Sequence, residues 1–82
     1  MKQELLEKAG LSPNEAKCYL ALLKIGSASA NELSRRSGIH RVSVYDALRG
    51  LVEKGLISQI TKENKLLFEA GNPEKIIDII NI

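Results

Sequence analysis

Four arginines, Arg35, Arg36, Arg41 and Arg49, fall within fifteen consecutive positions, and the rest of the chain has none. Asp46 is the single acid between the first and the last, so this stretch carries +3 while the whole chain carries +2. A guanidinium is permanently charged and presents a planar fork of donors, which suits phosphate oxygens and the guanine edge. Concentrated in this way, the four residues predict binding to a phosphate backbone. Other chemistry is poorly provided for. Cys18 and His40 are each alone, which excludes an intrachain disulfide, a cysteine zinc site and a histidine cluster. No nucleophile–base pair, phosphate-cradling glycine loop or acid–base dyad is evident, so neither an enzyme nor a cofactor is expected.

The arginines sit on a segment that reads as helix, glycine turn, helix. Ser29 to Ser37 (SANELSRRS) is followed by Gly38-Ile39 and then by His40 to Lys54 (HRVSVYDALRGLVEK). Capping residues punctuate the chain around it. Ser12-Pro13-Asn14-Glu15 supplies a serine cap, a proline at the first helical position and a glutamate at N3, a capping box. Ser29 and Glu32 repeat the spacing, and Asn72-Pro73-Glu74 opens a last helix by the same logic. Gly26, Gly38 and Gly55 each follow a helical run, where a left-handed residue is common. Helices are predicted at 2–9, 13–25, 30–37, 41–54 and 73–81. The helix at 13–25 is apolar nearly all round, broken only by Lys17 and Lys24, and is expected to be central, between the helix-turn-helix and the terminal helices.

Leu56–Thr61 (LISQIT) and Leu66–Ala70 (LLFEA), separated by Lys62-Glu63-Asn64-Lys65, predict a β-hairpin. Leu56, Ser58 and Ile60 would share one face, matched by Leu66, Phe68 and Ala70. Ser27-Ala28 gives a weak signal for a third strand. The expected fold is mainly α with a small β-hairpin: a winged helix-turn-helix of about five helices and a two- to three-stranded wing. Residues 1–82 form one domain, too short for two cores.

Within the helix at 41–54, a step of about 100° per residue turns Val44, Ala47, Leu48 and Leu51 inward. Val42, Asp46, Arg49 and Glu53 face outward, flanked by Ser43 and Tyr45. Arg41 is the candidate for a bidentate guanine contact and Val42 for packing on a thymine methyl. Ser43 suits a base or a phosphate. Asp46 suits either cytosine N4 or a salt bridge to Arg49 or Arg41. Tyr45 suits a phosphate or the edge of the core. Arg35 faces outward on the preceding helix, with Arg36 nearer the core boundary. His40 caps the helix, touches phosphate or fills space, the structural role being preferred. At the wing tip, Lys62, Asn64 and Lys65 are candidates for the backbone or the minor groove. Cys18 reads as a small buried apolar residue.

In the last helix, Ile76, Ile77, Ile79 and Ile80 cover more than one side, more than a single domain would bury. They predict a homodimer contact at 73–82, together with Leu5 and Leu6; the rival is a longer native helix cut at residue 82. No apolar run approaches the roughly 20 residues that span a bilayer. The first residues, MKQELLEKAG, lack a signal-peptide layout, so no membrane partner and a cytoplasmic location are expected.

These blocks resemble the N-terminal DNA-binding domain of the TrmB-like archaeal transcription regulators. Gly10-Leu11-Ser12, Glu15-Ala16-Lys17 and Tyr19-Leu20-Ala21-Leu22-Leu23 look like the family's opening block. Glu32-Leu33, Ser37-Gly38-Ile39, Arg41, Val44-Tyr45-Asp46, Leu48, Leu51 and Glu53-Lys54-Gly55-Leu56 look like its helix-turn-helix. Phe68, Ala70 and Asn72-Pro73-Glu74 resemble the closing strand and helix entry. The resemblance implies a winged helix that binds promoter DNA, usually as a dimer. Many relatives continue into a coiled helix and a sugar-sensing domain, which are not carried over to these residues. His40 stands where proline is frequent and Ser43 where a longer polar or basic residue often sits. Leu66 and Leu67 occupy wing positions that are often basic, which shifts the expected burden onto the helix-turn-helix.

The expected function is therefore sequence-specific binding of double-stranded DNA by a transcription regulator, with the helix at about 41–54 in the major groove. The alternative is a winged-helix protein-interaction module that binds no DNA. Operator, effector and the sign of regulation are not encoded in these features.

Overall fold

The structure, a computed structural model, describes residues 2–71. The elements are α1 (Gln3–Lys8), α2 (Pro13–Ile25), β1 (Ser27–Ala28), α3 (Ala30–Ser37), α4 (Arg41–Glu53), β2 (Ile57–Lys62) and β3 (Lys65–Ala70). The helix expected at 73–81, with Ile76, Ile77, Ile79 and Ile80, lies outside the described residues. Helix α2 packs against α1, α3, α4 and both β1 and β3, the central position its all-round apolar surface requires. Leu6, Ala16, Cys18, Tyr19, Leu22, Leu33, Val44, Leu48, Leu51 and Phe68 are among the side chains that fill the core. Cys18 is a free thiol in this interior, where burial pushes it up to about 11.

Tyr19 is also wholly buried, and among the described residues its hydroxyl meets no hydrogen-bond partner. Burial without a partner costs more than the hydroxyl returns. Tyr19→Phe should therefore leave stability unchanged or raise it by up to about 1 kcal/mol in a urea titration. A clear loss would reveal a partner for the hydroxyl.

The capping box on α2 is complete: the Glu15 amide donates to Ser12 Oγ (3.1 Å) and the Ser12 amide to Glu15 Oε1 (2.8 Å). At α3 only half of it forms. Ser29 Oγ accepts from the Glu32 amide, but the Glu32 carboxylate turns to Arg36 Nε, one turn along, at 3.1 Å.

The turn between α3 and α4 is held by two serines. Ser34 Oγ donates to the Ile39 carbonyl (2.6 Å), while Ser37 Oγ donates to the Leu33 carbonyl (2.6 Å) and accepts from the Ile39 amide (3.1 Å). Gly38 ends α3 at φ 75°, ψ 5°, a left-handed conformation that side chains with a β-carbon resist. Helix α4 ends in a Schellman motif, with the Gly55 amide donating to the Val52 carbonyl and the Leu56 amide to the Leu51 carbonyl. That motif consumes Leu56, which is buried at the helix exit, and the strand begins at Ile57.

The sheet order is β1-β3-β2, all antiparallel, so the weak Ser27-Ala28 strand is real and pairs with Glu69 and Phe68. The expected pairing of faces in the hairpin is corrected. Leu66, Phe68 and Ala70 do share a face, but opposite them stand Thr61, Gln59 and Ile57 rather than Leu56, Ser58 and Ile60. Starting the strand one residue later reverses which side chains face the core. Ile57 and Phe68 are buried on that face, whereas Ile60 and Leu67 pair, half-buried, on the other.

Lys62 and Lys65 form the last rung, leaving Glu63 and Asn64 as a two-residue turn with φ of 53° and 64°. Positive φ at both positions is the type I′ signature, which favours asparagine and glycine over glutamate. Glu63→Asn should therefore stabilise the wing by about 0.5–1 kcal/mol in a thermal melt. No gain would mean that the turn adopts another conformation.

Candidate nucleic-acid interface

Helix α4 buries Val44, Ala47, Leu48 and Leu51 and leaves Arg41, Val42, Tyr45, Asp46 and Arg49 exposed, with Ser43 half-buried between the two sides. The periodicity expected from the sequence is the one observed. Val42 is 63% exposed, an apolar side chain at the first turn with no core to join. His40 caps the helix, its Nδ1 accepting from the Val42 amide at 3.3 Å, so the structural role is the one the geometry displays.

The arginines divide into separate environments. Arg35 and Arg41 face one another across an open hollow between α3 and α4 that is also lined by Asn31, Ser34, His40 and Val42. Among the described residues Arg35 has no ion pair or hydrogen bond, so its charge is uncommitted. Arg41 Nη1 donates to Asn31 Oδ1 at 3.1 Å, a contact between side chains ten positions apart. Arg49 lies 3.8 Å from Asp46, with both side chains about 70% exposed (71% and 69%), a separation and exposure at which pairing is weak. Of the two partners proposed for Asp46, Arg49 is the one it meets.

Arg36 is exposed rather than near the core boundary, paired with Glu32. It borders a different hollow, with Gln3, Lys17 and Lys24, on the α1–α2 side. The structure thus brings Arg35, His40, Arg41 and Val42 together around one hollow, while Arg36 shares a separate one with Arg35 and Glu32. Lys62, Asn64 and Lys65 stand exposed at the wing tip as expected. Leu6 is fully buried in the chain's own core and has no surface to offer a partner, while Leu5 remains 45% exposed.

Two contacts around the candidate face have no signal in the sequence. Nothing in the local spacing of Asn31 signals a link to Arg41. Lys54, at the end of α4, donates from Nζ to both oxygens of Glu15, at 3.1 and 2.9 Å. Glu15 is only 7% exposed, so the residue that caps α2 also anchors the far end of α4. This clamp ties the first turn of α2 to the C-terminal end of α4, the helix that carries the exposed arginines. Gly50 makes room for it, since a β-carbon there would run into Glu15 Oε2.

Comparison with known proteins accords with this architecture. The family described as "Sugar-specific transcriptional regulator TrmB" matches residues 6–74. The chain belongs to the TrmB family. The HTH-type sugar sensing transcriptional regulator TrmBL1 of Pyrococcus furiosus is 36% identical over 75 residues, covering 92% of this chain and 22% of that protein. The DNA-binding HTH-type transcriptional repressor TrmBL2 of Thermococcus kodakarensis is 37% identical over 79 residues, covering 95% and 29%. Among solved structures, TrmBL2, described as an archaeal chromatin protein with a novel mode of DNA binding, superposes with a TM-score of 0.83 at 26% identity. That superposition covers 96% of this chain and 30% of that one. The fold is the TrmB winged helix, and the chain spans less than a third of the length of these relatives. Among the described residues no helix is long and apolar enough to cross a membrane.

Proposed function

We propose that this TrmB-family chain binds double-stranded DNA sequence-specifically as the reading module of a transcription regulator, with α4 in the major groove. The observation that carries the reading is the exposed face built from Arg35, Arg41 and Arg49 around the head and outer side of α4, with Val42 standing free among them. Exposed guanidinium groups that are not neutralised by a close carboxylate, beside an exposed apolar side chain, match a surface that must meet both phosphates and base edges. The names of the relatives TrmBL1 and TrmBL2, a transcriptional regulator and a DNA-binding repressor, support the same assignment.

Arg35 and Arg49 serve as phosphate anchors, and Arg41, Val42 and Ser43 face the bases. Tyr45 offers its hydroxyl to the backbone, and Asp46 steadies Arg49. Arg36, tied to Glu32, contributes least. Lys62 and Lys65, which repel each other across the last rung of the wing, gain when a phosphate lies near them. The module acts by occupying DNA rather than by chemistry. It works in the cytoplasm and as a homodimer, through the isoleucine segment at 73–82 and Leu5. A two-fold arrangement would place two copies of α4 in successive major grooves.

A gel-mobility titration of the chain with a mixed pool of duplexes, over a range of salt, tests the assignment. Binding at low salt that weakens steeply as salt rises is expected. Absence of duplex binding at low salt would overturn it and favour the protein-interaction module.

A further inference from the structure

We propose that Asn31 is a positioning residue for base recognition, holding Arg41 in the orientation from which it reads the duplex. This inference rests on the DNA-binding assignment and adds a residue to it. Arg41 is the first residue of α4 and is exposed, so nothing in the core constrains its long side chain. A free arginine loses much rotamer freedom when it docks, and that loss is subtracted from the contact it makes. Asn31 projects from the first turn of α3, across the hollow that also contains Arg35, and its Oδ1 accepts from Arg41 Nη1 at 3.1 Å.

The hydrogen bond occupies one of the five guanidinium donors and leaves the others for a base edge. Among the described residues Arg41 has no acidic partner, so its charge is not neutralised while it is held. An aspartate in place of Asn31 would hold the arginine too, but would cancel the charge that approaches the phosphates. The neutral amide is the side chain that does the first without the second. Asn31 also rides on α3, and the Ser34 and Ser37 contacts fix α3 to the turn that launches α4. The backbones that carry the two ends of the hydrogen bond are therefore tied to each other through the turn.

The test uses a duplex recovered from a random pool by the wild-type chain, together with its single-base-pair variants. Arg41→Ala first identifies the base pair that Arg41 reads, as the position where discrimination is lost. At that position Asn31→Ala should reduce discrimination by roughly tenfold, within the range one bidentate contact supplies. Asn31→Asp, which keeps the acceptor, should restore most of the discrimination while weakening all duplexes alike. In an Arg41→Ala background, Asn31→Ala should change affinity by less than about twofold, because coupled residues are not additive. Equal weakening of every duplex by Asn31→Ala, with discrimination intact, would overturn the proposal. So would a full Asn31→Ala effect in the Arg41→Ala background. If the wild-type chain recovers no duplex at all, the DNA-binding assignment itself falls and takes this inference with it.

Discussion

Replacing Glu15 with alanine should lower the stability of the domain by about 2–3 kcal/mol. For a chain of this length that is roughly 10–20 °C in Tm. The total stability expected of 82 residues is only about 4–12 kcal/mol, so the loss is large. It arises from two places at once. The substitution removes half of the α2 capping box and leaves Lys54 without the carboxylate that accepts from it twice. Lys54 is more than a third exposed and can recover water, which keeps the figure below that for a fully buried pair. Thermal melting monitored by circular dichroism measures it, and a shift of only a degree or two would show that the clamp contributes little.

The same site gives a pH signature. Burial pushes the Glu15 carboxyl up, but the Ser12 amide, the hydrogen bonds and charge of Lys54, and the Ser12 hydroxyl together hold it below the ordinary 4.5. A carboxyl lowered by folding stabilises the folded state wherever it is ionised. Its contribution is complete above the ordinary value and fades as the pH falls through the lower folded one. The stability gap between wild type and Glu15→Gln should therefore be widest near neutrality and narrow as the pH falls below the ordinary 4.5 and through the lower folded value. Gly50→Ala should act through the same carboxylate. In most helix interiors that change gains about 1 kcal/mol. Here the new methyl displaces Glu15 from Lys54 and Ser12, and a net loss is expected in the same melt.

The second large effect is on binding. Arg41→Ala should flatten sequence preference at one base pair, with a loss of about 1–3 kcal/mol of discrimination, while binding to random duplex falls much less. Arg35→Ala should do the reverse. It should weaken all sequences similarly and reduce the salt dependence by about one counterion. The distinction follows from placement. Arg41 heads the helix that is proposed to present its first turn to the bases, whereas Arg35 stands on the neighbouring helix and lines the same hollow. Fluorescence anisotropy on a selected duplex and on a scrambled one separates the two outcomes. Parallel losses for both variants on both duplexes would remove the distinction between reader and anchor.

Local signals made most of this legible in the sequence. Ser12, Pro13 and Glu15 announced the start of α2, and the 3.6-residue period of α4 identified both its buried and its exposed residues. What escaped depends on contacts between distant positions. The bond from Lys54 to Glu15 spans 39 residues and the one from Arg41 to Asn31 spans ten, and neither leaves a pattern along the chain. Glu32 showed the spacing of a capping box, but Arg36 one turn away is a charged competitor for its carboxylate and takes it. The strand faces were misassigned for a related reason. Leu56 looks like the first residue of a strand, yet the Schellman motif claims it for the helix exit, and alternation counted from it falls on the wrong side.

On the proposed reading, the helix-turn-helix arginines carry most of the phosphate contacts and the wing lysines the smaller share. The most direct measurement is the salt dependence of duplex affinity for wild type, for Arg35→Ala with Arg49→Ala, and for Lys62→Ala with Lys65→Ala. The slope of log affinity against log salt should fall by about two per bound chain in the arginine pair, at about 0.9 per contact, and by less than one in the lysine pair. A slope unchanged by the arginine pair but reduced by the lysine pair would place the phosphate contacts on the wing instead.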